Sequence, residues 1–224
     1  MKKYFDNIWL KSIGVVCFYV VLKFIFKNLL MLLNINTILA LLLSDCMIFL
    51  VMISLYLLYR PSKINHFCDS IHEVVILLMM AISLGVMISF ITIYVLDQRI
   101  LTSFSWLEWI SVVIIGPMIE EIVYRAFVFG YLRKISLYMA MIVSSLLFAV
   151  GHQGIVIMIL AFFVGMLLSL IYTQYSLVET IVFHSILNMM SYCEEIAYMP
   201  LIVYCICLMV FIYCFVSVKK KVLF

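Results

Sequence analysis

The sequence predicts an all-α protein, a polytopic transmembrane helix bundle of about eight spans. Three observations predict it. Of 224 residues, 68% are apolar and only 11% charged, whereas a soluble domain carries about 25% charged residues. Apolar runs long enough to cross a bilayer recur along the chain. The alternating pattern of a membrane barrel is absent, and a helix is the other structure that satisfies its own backbone in lipid.

The apolar segments fall at residues 9–33, 36–59, 74–96, 106–131, 136–151, 155–173, 177–193 and 199–218. Lys11, Lys23 and Lys27 interrupt the first, and the fifth is short for a span. The longest polar link, "RPSKINHFCDSIHE" from Arg60 to Glu73, contains Pro61 and reads as a surface loop. Three parts follow: about three N-terminal transmembrane helices over 1–104, a helical core over 105–192 that carries the chemistry, and a last helix with a basic tail over 193–224.

Basic residues orient the bundle. With eight spans both termini share a side, and Lys2, Lys3, Arg60, Lys63, Arg133, Lys134 and Lys219 to Lys221 all fall there, against Arg99 in an opposite loop. Cytoplasmic loops hold the excess of Lys and Arg, so both termini are expected in the cytoplasm of a plasma membrane, in a bacterial setting. The net charge of +3 is thus a topology signal, and no nucleic-acid partner is expected. Lys2 and Lys3 precede an apolar stretch without a small-residue cleavage site, which reads as a retained first helix. The seven cysteines form neither paired CxxC units nor a Cys/His cluster. Most lie in apolar runs, where a thiol behaves as a small hydrophobe.

Against this background "GPMIEEIVYRAF", Gly116 to Phe127, is anomalous. One charge near a helix centre costs about 2.5–3.5 kcal/mol on insertion scales, and Glu120, Glu121 and Arg125 lie within six residues. Glu121 and Arg125 are i and i+4, on one face and in the favourable order. Glu120 lies about 100° round the helix with no partner in its own segment. One carboxylate is therefore expected to be locked and the other free. Reversing both charges of the locked pair is expected to rescue more function than either single reversal. Pro117 removes a backbone donor and is expected to kink the helix just before the pair. A purely structural ion pair, or a helix end, is the bland alternative.

Two further stretches tilt the balance. "LLFAVGHQG" places Phe148 and His152 at i, i+4, and "VFHSILNMM" does the same for His184 and Asn188. His66 and His72 belong to the polar link, so His152 and His184 are the two histidines of the apolar region. A carboxylate and an imidazole around one water can deprotonate it. A second imidazole and an amide on one face can donate to the oxyanion formed when hydroxide attacks a carbonyl. A metal variant would use Glu120, His152 and His184 on a divalent ion such as zinc. However, no "HExxH" occurs, and no "GxSxG" supports serine chemistry. A carrier should show inverted repeats or paired broken helices, and neither is visible.

"EEIVYR" (Glu120 to Arg125), "FAVGH" (Phe148 to His152) and "HSILN" (His184 to Asn188) resemble the motifs EExxxR, FxxxH and HxxxN of the CPBP intramembrane proteases. That family is also called the Abi family and includes the type II CAAX prenyl proteases. The resemblance covers roughly 105–192. It implies endopeptidase activity in the membrane, with Glu120 and His152 activating water and His184 and Asn188 forming the oxyanion site. Glu121 and Arg125 would support them, and Phe148 would pack along the cavity. Members are described both as glutamate proteases and as metalloproteases, so the resemblance implies no cofactor or one divalent metal. It implies a membrane-associated or leader-bearing peptide as substrate, of the kind handled by bacteriocin-processing relatives. A non-proteolytic immunity or regulatory partner is the alternative.

One more pair is expected. Lys23 and Asp45 lie about 15 Å deep when counted from the turn shared by the first two helices, and an unpaired charge at that depth is rare.

Overall fold

A computed structural model describes residues 2–33, 35–59, 68, 70–95, 105–192, 196 and 199–220. Most of the loop expected over Arg60–Glu73, and the loop holding Arg99, lie outside the described residues. The described residues form eight helical rods and no strand. They are α1 (Lys2–Leu32), α2 (Thr37–Tyr59), α3 (residues 71–95), α4 (residues 106–132), α5 (Leu137–Val150), α6 (Ile155–Gln174), α7 (Leu177–Met190) and α8 (Leu201–Lys220).

Local chemistry sets the boundaries. Ser70 and Ser136 accept from the amides of Glu73 and Met139 at the starts of α3 and α5, filling donors the first turn cannot use. α7 opens on a full capping box, with Ser176 and Glu179 satisfying each other's backbone amides. Gly154 enters α6 at φ 89°, a left-handed conformation that favours glycine.

Eight apolar segments thus become eight helices, but not eight equal spans. Five are long and apolar enough to cross a membrane: α1, α2, α3, α6 and α8. α5 and α7 have 14 residues each, or about 21 Å of rise against roughly 30 Å of hydrocarbon. Both stop where the chain turns polar, at Gly151–His152 and at Ser191. α4 is long enough but carries Glu108, Glu120, Glu121 and Arg125.

The bundle has two distinct ends. At one, Ile8, Leu132, Ala140 and Tyr172 share a core cluster, which gathers the starts of α1 and α5 with the ends of α4 and α6. Glu179 at the start of α7 accepts from the Cys68 amide at 3.0 Å on this side. At the other end, Ser89 donates to the Met190 carbonyl at 3.3 Å. Val86, Ile196 and Tyr204 cluster there and bring in the start of α8.

α3 and α7 run parallel and meet closely at Gly85. A Cβ there would lie 2.6 Å from Met190 Cγ and 2.7 Å from its Cβ. Gly85→Ala is expected to force the two helices apart, costing about 1–3 kcal/mol as overpacking does. The check is a thermal midpoint of the detergent-solubilised protein, which falls if this contact sets the α3–α7 spacing and stays put if it does not.

Candidate active site

The site begins with a backbone irregularity. Ile110–Ile115 of α4 is wound as a π-helix and runs directly into Gly116–Pro117. The Gly116 amide bonds back five residues, to the Ser111 carbonyl. The Val112 carbonyl would next be served by residue 117, but Pro117 has no N–H. That carbonyl has no donor five residues on in its own helix, and Asn188 of α7 donates its Nδ2 to it at 2.9 Å. The perturbation expected at Pro117 therefore takes the form of a π-turn, a feature that often marks functional sites.

Behind this turn lies a buried charge relay. Glu121 and Arg125 are both fully buried, with Arg125 Nε 3.0 Å from Glu121 Oε2. The approach is an ion pair whose alignment falls short of a hydrogen bond, and no described residue hydrogen-bonds Nη1 or Nη2 of Arg125. The Phe148 ring takes up part of the guanidinium, with Cζ 4.9 Å from its centroid. The other oxygen of Glu121, Oε1, stands 2.9 Å from His184 Nδ1. An arginine-paired carboxylate accepts, so Nδ1 carries the proton and Nε2 is left to face outward. Outward lies Glu120, whose Oε2 is 3.7 Å from His184 Nε2. Glu120 is 24% exposed, while its neighbour Glu121 is sealed.

His152 is fixed in the same way. Its Nδ1 lies 3.1 Å from the Phe148 carbonyl, one turn back. A carbonyl can only accept, so Nδ1 is the donor here, and in the neutral imidazole Nε2 is then the lone pair. Phe148 is the spacer between the two imidazoles, edge-on to His152 at 4.8 Å and to His184 at 5.6 Å. It packs behind the cavity wall and is not among the residues lining it, a correction to the placement the sequence suggested.

Glu120, His152, His184 and Asn188 all line one cavity of about 310 Å³. The sequence reading missed the rest of its polar wall: Tyr19 from α1, Ser111 from α4 and Ser191 beyond α7. Only the Gly-Pro pair hinted at Ser111, by marking a break in the helix. Asp45 lies in the same wall and accepts a hydrogen bond from the Ser111 hydroxyl. Lys23 also lines the cavity, with Nζ 5.8 Å from the Tyr19 ring centroid. It makes no ion pair with Asp45 within 4.0 Å. The two side chains expected to pair therefore share a cavity wall without a direct ion pair, and the hydrogen bond to Asp45 comes from Ser111 of the π-helical segment. Among the described residues no three His, Cys, Asp or Glu side chains are grouped as metal ligands.

Residues 101–190 match the family model described as type II CAAX prenyl endopeptidase Rce1-like. This segment is similar to the CAAX-type endopeptidases. It contains α4 to α7 and every motif residue named above. Neither a curated protein nor a solved structure matches the chain.

The shared use of Glu121 changes one expectation. Reversing both charges would set a guanidinium against the Nδ1–H of His184, so the double reversal is expected to fail like the singles. Arg125→Met leaves Glu121 buried without its cation, a loss on the order of 3–5 kcal/mol. Membrane abundance and thermal midpoint of these variants are the measurements. Full recovery by the double reversal would show that His184 does not depend on Glu121.

Proposed function

We propose that the chain is an intramembrane endopeptidase that hydrolyses a peptide bond of a membrane-associated or leader-bearing substrate with water activated by Glu120 and His152. The observation that carries this reading is the sharing of one cavity by Glu120, His152, His184 and Asn188. The bilayer offers little reason to collect such groups unless they share a wet, reactive space.

The chemistry follows from which atoms are already occupied. Glu120 is the partly exposed carboxylate, and His152 Nε2 is an unprotonated base, so either can take a proton from a water held between them. The hydroxide adds to the carbonyl carbon, and the carbonyl π electrons move onto oxygen. Asn188 has spent one N–H on Val112 and keeps the other for that oxyanion. His184 begins as an acceptor at Nε2. A proton passed on by Glu120, 3.7 Å away, makes Nε2 a donor toward the oxyanion while Nδ1 stays on Glu121. Collapse of the intermediate breaks the C–N bond, and the held proton goes to the departing amine. No covalent enzyme intermediate is needed.

The adjacent glutamates give a sharp test. Glu120→Gln keeps the volume but cannot accept a proton, so cleavage is expected to fall by at least about 10²-fold, the lower range for general-base loss, with membrane abundance unchanged. Glu121→Gln weakens the hold on both Arg125 and His184, so abundance and activity fall together. The assay is cleavage of candidate secreted-peptide precursors alongside quantitation of the protease in the membrane. Undiminished cleavage by Glu120→Gln would overturn the assignment. A phenotype that survives Glu120→Gln with no cleavage by either form would favour a non-proteolytic partner.

A further inference from the structure

The cavity sits at one end of the bundle, and the positive charge sits at the other. The cavity draws on His152 in the turn after α5, Ser191 just past α7, Ser111 in the second turn of α4, and Asp45 in the third turn of α2. These positions share the end that also holds the α1–α2 turn and the Ser89–Met190 contact. The opposite end holds the starts of α1 and α5 and the ends of α4 and α6.

Lys and Arg divide unequally between these ends. Toward the end away from the cavity lie Lys2, Lys3 and Lys11 near the start of α1, and α2 ends there, just before Arg60 and Lys63 in the sequence. Arg133 and Lys134 follow α4, and Lys219 and Lys220 end α8 on the same side. Toward the cavity end the described residues carry Lys23 and Lys27 of α1, and the sequence adds Arg99 between α3 and α4. A split of this size sets the orientation of a helical membrane protein, with the basic loops retained in the cytoplasm.

We propose that the cavity opens on the non-cytoplasmic face, so that its substrate is a peptide whose scissile bond is presented from outside the cytoplasm, next to an apolar segment that remains in the bilayer. The chemistry rests on the proteolytic reading above. The side rests on charge and helix position alone. The short helices fit this picture. α5 and α7 both end at the cavity instead of crossing a full hydrocarbon layer, and polar side chains replace their missing turns. A substrate entering at this end would pass Ser111, Ser191 and Asn188 of the cavity wall on its way to Glu120 and His152. The implied partner reaction is export, which has to place the precursor across or into the membrane before cleavage.

Two measurements on the full chain test the side without using activity. The first fuses the C-terminus of the native sequence either to a fluorescent protein that matures in the cytoplasm or to alkaline phosphatase, which is active only after export. Fluorescence without phosphatase activity is expected. The second labels Ser191→Cys and Arg133→Cys with a membrane-impermeant maleimide in right-side-out vesicles, in a chain whose seven native cysteines are replaced. Ser191→Cys is expected to label as fully as in opened membranes, and Arg133→Cys only after opening. An exported C-terminus, equal labelling of both positions, or the reverse order overturns the proposal. If labelling follows the expected order but Glu120→Gln cleaves as well as wild type, the proteolytic mechanism fails and the sidedness stands.

Discussion

The site depends on one carboxylate having two partners. Glu121 is fully buried, and its two oxygens face Arg125 at 3.0 Å and His184 at 2.9 Å. A lone charge in that position would cost several kcal/mol in lost hydration. Paired on both sides, it becomes a fixed point for two helices. The cation comes from its own helix, one turn on, and so is in place once α4 forms. The imidazole comes from α7 and fixes how the two helices meet. Asn188 repeats the same α4–α7 link one turn further along, on the Val112 carbonyl.

This arrangement gives adjacent glutamates opposite duties. Glu121 is sealed and saturated and can only hold. Glu120 is 24% exposed to the cavity, and its nearest charged-group contact is His184 Nε2 at 3.7 Å. Since Nδ1 of that ring is committed to Glu121, Nε2 must report to the cavity. The tautomer of His152 is set independently, by a backbone carbonyl. Both imidazoles thus enter with the same nitrogen free, and Phe148 keeps them apart while covering the guanidinium that stabilises the whole relay. The polar groups are held by hydrogen bonds that a bilayer cannot compete for, which favours preorganisation.

Much of this was legible in the sequence because the bilayer makes polar residues conspicuous. Eight apolar segments became eight helices, and i, i+4 spacing identified the Glu121–Arg125 pair. The three short motifs located the same segment that carries the protease-family match. Contacts between segments were less legible. Nothing in the spacing tells that His184 reaches Glu121, since the two are 63 residues apart. Lys23 and Asp45 do face one cavity, but depth along two helices does not bring their charged ends into contact, and they form no direct ion pair. Asp45 is hydrogen-bonded by Ser111 of the π-helical segment. Pro117 was visible as a break, but its consequence required knowing that Gly116 bonds back five residues.

The central claim is the protonation pattern that Glu121 imposes on His184, and nitrogen NMR of ¹⁵N-histidine-labelled protein in bilayers reads it directly. His184→Gln identifies the signal among the four histidines. In the resting protein the account predicts a protonated Nδ1 and an unprotonated Nε2, with Nδ1 losing its strong hydrogen bond in Glu121→Gln. A resting His184 protonated on Nε2 alone, or a spectrum unchanged by Glu121→Gln, would contradict it.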